Sequence, residues 1–154
     1  MGVSGTGKTT IGNLLAKALT VPFFDGDDFH PQANINKMAA GLPLNDNDRY
    51  DWLATLNQLA KNNKAKGAVI ACSALKEKYR VQLSSTIEMK TVFVYLKGTF
   101  AEIKSRLDSR EGHFMTSALL KSQFDTLEPP TDAITVSILH TPKQITKEIL
   151  NHLK

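Results

Sequence analysis

The sequence predicts an α/β domain, a parallel sheet with helices on both of its faces. Three observations carry that prediction. Four short runs rich in β-branched and aromatic residues alternate with stretches of helical spacing. A glycine-rich turn opens the first helical stretch, the arrangement of a unit that holds an anion at a helix N-terminus. The chain of 154 residues shows no internal repeat, low-complexity stretch or linker, so 1–154 reads as one domain.

Taken in order, Ile11, Leu14, Leu15 and Ala18 share one face of a first helix that follows the glycine-rich turn directly. Val21-Pro-Phe-Phe24 is the first strand-like run. Trp52, Leu53, Leu56 and Leu59 then recur at helical spacing. Ala68–Cys72 is a second apolar run, followed by a helical stretch at Tyr79–Leu83. Thr91–Leu96 is the third run and precedes helical stretches at Ile103–Leu107 and Leu119–Leu127. Ile134–Ile138 is the fourth, and Pro142 can begin the helical stretch of Ile145–Leu153 at a first-turn position. Strands alternating with helices in this way feed a parallel sheet.

Composition narrows the class without giving a function. Lys and Arg number 19 against 15 Asp and Glu, a formal charge of +4, and 42% of residues are hydrophobic, which fits a folded globular chain. No run approaches the length of a membrane span, and no charged segment leads into an apolar one at the start. The positive charge is dispersed, which argues against nucleic acid as a partner and suits an anionic small molecule. One cysteine, Cys72, cannot form an internal disulfide and fits a reducing cytoplasm. At a strand end, it reads as a packed residue, not a nucleophile.

The strongest local signal is Gly2-Val3-Ser4-Gly5-Thr6-Gly7-Lys8-Thr9, which matches G-x-x-x-x-G-K-[ST]. Its glycines let the backbone wrap a phosphate, and successive N–H groups with the helix N-terminus face the negative charge. Lys8 would reach the β- and γ-phosphates of a nucleotide, and the Thr9 hydroxyl would ligate Mg²⁺. A loop of this kind normally follows a buried strand, yet only Met1 precedes Gly2. The first strand of such a sheet is usually central, so the sequence predicts pairing lost from both its neighbours. Either the start is truncated or mis-assigned, or the loop is supported in another way.

Asp25, Asp27 and Asp28 follow the first strand-like run, at the carboxyl end where open α/β sheets place ligands. A carboxylate there can hold Mg²⁺ through water or orient an acceptor hydroxyl; the same residues also suit a solvated turn. His30, before Pro31, reads as a helix-entry residue or a sugar contact. Lys37 and Arg49 bring cations into the following segment, and Lys76, Tyr79 and Arg80 follow the second apolar run. Asp46 and Asp48 suit a helix N-terminus. Arg106 and Arg110 close a helix and enter a Gly-containing loop, where arginines can stabilise a transferring phosphoryl group or cover a nucleotide under a lid of about 110–118.

Together, GVSGTGKTT, DGDDFHPQANINKMAAGLPLNDNDRYDWL, ACSALKEKYR, YLKG, RLDSREGHFM and LLKSQFDTLEPP resemble the small P-loop gluconokinases, in that family's order, from Gly2 to about Pro130. The phosphate loop is widely shared, whereas the GDDFHP and SALK blocks are specific. The resemblance implies a fold like the shikimate and adenylate kinases. It implies phosphorylation of D-gluconate at its 6-hydroxyl by ATP with Mg²⁺, in gluconate catabolism. By position, Gly2 to Thr9 and Arg106 would bind ATP, and Thr9 and Asp25 the metal. Lys8, Asp27 and Arg110 would be catalytic, Asp27 accepting the hydroxyl proton. His30, Lys37, Arg49, Lys76 and Arg80 would contact gluconate. The family suggests a homodimer and an extended strand ahead of the loop, so that Met1 reads as an internal methionine. Other readings are a kinase for another hydroxylated acid such as shikimate, or an inactive truncated form. A GTPase-like switch lacks its N-K-x-D motif.

Overall fold

The computed structural model describes residues 1–109 and 116–154. Arg110, and the part of the expected lid between 110 and 115, lie outside the described residues.

Helix α1 (Lys8–Leu19) begins at Gly7, whose φ of 93° lies in the left-handed region. A side chain there would strain the turn that leads from the loop into the helix. Strand β1 (Phe23–Asp25) follows and runs into a single 3₁₀ turn, Gly26–Phe29. Next come α2 (Gln32–Ala39), α3 (Asp46–Asn63), β2 (Val69–Ala71) and α4 (Glu77–Ser84). After these are β3 (Val94–Lys97), α5 (Phe100–Asp108), α6 (Ser117–Thr126), β4 (Ile134–Ser137) and α7 (Pro142–His152). The sequence pattern does not reveal α2. Its segment QANINKMA buries only Asn34, so no apolar stripe marks the period.

Helix entries are set locally. Asn45 and Asp48 form a reciprocal capping box on α3, as do Thr99 and Glu102 on α5 and Thr141 and Gln144 on α7. Pro142 occupies the first turn of α7, as its fixed φ favours.

The strands are parallel, as predicted, but they form two pairs. β1 lies beside β2 with Phe23 opposite Val69, and β3 lies beside β4 with Val94 opposite Ile134. Among the described residues, backbone at the start of the chain bridges them. Leu96 N–H donates to Met1 O at 3.0 Å, the Met1 amine donates to Val94 O, and Gly2 N–H donates to Ser73 O at 3.1 Å. Behind this bridge is a cavity of about 380 Å³, lined by Leu15, Leu56, Ile70, Val94 and Ile149 among others. An apolar slot thus lies between β2 and β3.

Apolar side chains gather in two clusters. One joins α1, β4 and α7 through Ile11, Leu15, Val136, Ile145 and Ile149; the other joins α3 and α4 through Trp52, Leu53, Leu56 and Tyr79. Each fully buried Leu or Ile contributes on the order of 1.5–3 kcal/mol of transfer free energy. Among the described residues, no helix is long and apolar enough to cross a membrane.

Candidate active site

The loop before α1 is held from within and from outside. Thr6 is buried, and its hydroxyl donates to Val3 O at 3.0 Å. Lys8 Nζ donates to Gly2 O at 3.0 Å and Val3 O at 2.9 Å, so the amine lies directly over the loop. Burial lowers its pKa, and the Asp27 and Asp25 carboxylates oppose that shift. From α6, Gln123 Oε1 accepts the Ser4 N–H at 2.6 Å. Nothing in the sequence marks Gln123, because this contact spans 119 residues.

Loop and acidic turn meet at one point. Thr9 Oγ1 donates to Asp25 Oδ2 at 2.6 Å, while Asp25 Oδ1 accepts the Asp27 N–H at 3.1 Å. Asp25 thus caps the 3₁₀ turn and touches the phosphate-loop threonine at once. Gly26 makes this approach possible, since a Cβ there would lie 2.5 Å from Ala71 O. Trp52 Nε1 donates to Gly26 O at 2.7 Å and clamps the turn from α3.

A cationic group stands beside the turn. Arg49 Nη1 donates to Leu44 O and to the Tyr79 hydroxyl at 3.3 Å, and its guanidinium lies 5.5 Å from the Tyr79 ring centre. The Tyr79 hydroxyl donates to Asp46, which also accepts from Lys76 at 3.0 Å and Lys78 at 2.5 Å. Those three donors, Lys78 foremost, hold the Asp46 carboxyl well below the usual carboxylate range. Lys78 and Asp46 were not among the sequence-derived contacts; α3 and α4 bring them together across 32 residues.

Other predicted residues are placed differently. Lys37 pairs with Asp48 at 2.6 Å. Arg80 is buried, and its Nη1 donates to Ala74 O at 3.0 Å and Leu75 O at 3.3 Å, which turns it toward the backbone behind the site. Arg106 Nη2 donates to Ile138 O, tying α5 to the end of β4. The His30 side chain is 5% exposed and stacks on Trp52, with ring centres 4.2 Å apart. Asp27, by contrast, is 79% exposed. Cys72 is buried in the cluster of Trp52 and Tyr79, and burial pushes its thiol up to about 11.

An unbroken loop with its lysine and threonine, a carboxylate touching that threonine and a cationic cluster alongside are the parts of a phosphoryl-transfer site. Comparison with known proteins agrees. A family model described as shikimate kinase matches residues 4–154. A probable gluconokinase of Xenopus tropicalis is 46% identical over 147 residues, covering 85% of this chain and 77% of its own length. The gluconokinase of Gluconobacter oxydans is 45% identical over 159 residues, covering all of this chain and 89% of its own. A crystal structure of a gluconokinase from Sinorhizobium meliloti superposes with a TM-score of 0.91 at 39% identity, over 99% of this chain and 88% of that one. With the family model, the relatives' identity and the fold all agreeing over most of the chain, this protein belongs to the gluconokinase family of shikimate-kinase-like P-loop proteins.

Proposed function

We propose that the chain transfers the γ-phosphoryl group of ATP to the 6-hydroxyl of D-gluconate, giving 6-phospho-D-gluconate and ADP. The observation that carries this reading is the 2.6 Å contact between Thr9 and Asp25, which joins the nucleotide half of the site to the acceptor half. The backbone of Gly2 to Thr9 wraps the phosphates, and Lys8 swings from the loop carbonyls onto the β- and γ-phosphates. Arg106, and Arg110 beyond it, are the candidates for the nucleotide side of a lid.

Mg²⁺ fits this site. Thr9 and Asp25 present a hydroxyl and a carboxylate at one point. Among the described residues there is no cluster of three or more His, Cys, Asp or Glu side chains. A small donor set suits an ion that keeps waters and phosphate oxygens in its shell. When bound, the ion neutralises charge on the phosphate oxygens.

In the transfer, the acceptor oxygen bonds to the γ-phosphorus as the bond to the β–γ bridging oxygen breaks, and ADP leaves with that electron pair. Asp27, exposed beside Asp25, orients the hydroxyl and accepts its proton. Arg49 and Lys76 receive the gluconate carboxylate, Arg offering two parallel donors. Lys37 is engaged by Asp48, and Arg80 braces the backbone of Ala74 and Leu75.

The single buried cysteine accords with a cytoplasmic enzyme. Family resemblance suggests a homodimer, which light scattering would check. The decisive experiment is ADP release by the purified chain with Mg-ATP and gluconate, shikimate, glucose or no acceptor. Release that depends on gluconate is expected; equal or greater release with shikimate would overturn the acceptor assignment.

A further inference from the structure

We infer that His30 is a positioning residue for the Asp27 carboxylate, fixed in one tautomer by Asn34 and in one plane by Trp52. This rests on the phosphoryl-transfer reading above and adds to it a residue that acts through Asp27.

The tautomer follows from a chain of hydrogen bonds. Asn34, 4% exposed on α2, places its amide nitrogen 2.7 Å from Asp48 O. A backbone carbonyl only accepts, so the amide cannot be flipped. The same nitrogen lies 3.3 Å from His30 Nδ1. An amide nitrogen only donates, so Nδ1 must present its lone pair, and the neutral ring carries its proton on Nε2. Burial lowers the His30 pKa, against the opposing pull of the Asp27 carboxylate.

His30 Nε2 is the ring nitrogen that lies near Asp27. Nε2 lies 3.9 Å from Asp27 Oδ1, about 1 Å beyond a hydrogen bond and within reach of a rotation of the exposed carboxylate. Trp52 fixes both partners, because its face stacks on the His30 ring at 15° while its Nε1 holds Gly26 O in the turn that carries Asp27. With 5% of its side chain exposed, His30 has little surface for a sugar. Holding Oδ1 leaves Oδ2 for the acceptor hydroxyl. The arrangement has the logic of an oriented base, with the order of the two residues reversed.

The test uses the purified chain with Mg-ATP and gluconate. His30→Phe keeps the stack and removes the N–H. It should lower kcat about tenfold or more, the scale seen when an outer partner of a functional ligand is lost. Both KM values should stay within about twofold, as for an interaction made only in the transition state. His30→Gln, with an N–H near the Nε2 position, should recover most of kcat. In an Asp27→Asn background, His30→Phe should add nothing, since residues that act as a unit are non-additive.

Equal loss in the Phe and Gln variants, a rise in gluconate KM alone, or additivity with Asp27→Asn would overturn the inference. Should His30→Phe fail to fold, the nitrogen-15 shifts of the His30 ring in the unmodified chain decide. A proton on Nε2 is expected; one on Nδ1 would overturn it. If Asp27→Asn keeps its turnover, the base assignment falls and the inference with it. If Asp27→Asn is silent while His30→Phe turns over normally, only the inference falls.

Discussion

At the residue scale, the site's chemistry rests on side chains whose charges are held by particular neighbours. Lys8 is half-buried against two loop carbonyls and needs only to rotate to meet phosphate oxygens. Lys8→Ala should reduce gluconate-dependent ADP release by about 10²-fold or more. Its far-ultraviolet circular dichroism should match that of the unmodified chain. Asp46 makes a different prediction. Its folded pKa lies below the unfolded value, so the unfolded state takes up protons first as pH falls. The stabilisation is therefore present above about pH 4 and lost as pH falls through the lower, folded pKa. Melting curves should show Asp46→Asn less stable than the unmodified chain at pH 6, with the gap closing toward pH 3.

At the element scale, α3 is the organiser. Its capping box sets its start, Arg49 and Asp46 lie in its first turns, and Trp52 clamps the acidic turn from one turn further on. Asn45→Ala should cost about 1 kcal/mol, the usual value of a lost N-cap, measured by denaturant unfolding. The junction of β1 with the 3₁₀ turn is less forgiving. At Gly26, an added methyl would meet the carbonyl of Ala71 in the neighbouring strand. Gly26→Ala should cost about 1–3 kcal/mol. It should also lower kcat more than either KM, because the turn carries both Asp25 and Asp27. A variant with normal kcat would show that the turn can shift without disturbing the reacting groups.

At the scale of the whole molecule, the slot between the strand pairs dominates. Among the described residues, backbone from Met1 and Gly2 links β3 to Ser73, just past the end of β2, over a cavity of about 380 Å³. Five apolar, β-branched residues fused ahead of Met1 would offer ladder partners to both edges. The extended chain should melt several degrees higher, at roughly 2–4 °C per kcal/mol for a domain of this size. An unchanged melting temperature would show that the slot does not accept a strand.

What the sequence determined by itself was whatever depends on near neighbours. The phosphate loop is eight consecutive residues, the four strands and six of the helices carry their own apolar patterns, and Pro142 marks its helix start. Helix α2 escaped because it buries one asparagine and so has no stripe to read. Only the tertiary structure decided which charges remain available to a substrate. Arg49, Lys76 and Arg80 look alike in sequence. Packing of α3 against α4 leaves the first two around Tyr79 and Asp46, while Arg80 turns inward to backbone carbonyls. His30 likewise changed from a candidate sugar contact into a ring enclosed by Asn34 and Trp52, behind an exposed Asp27. The reason is physical: a motif specifies which groups are present, but burial and hydrogen-bond partners from distant segments set their direction and charge.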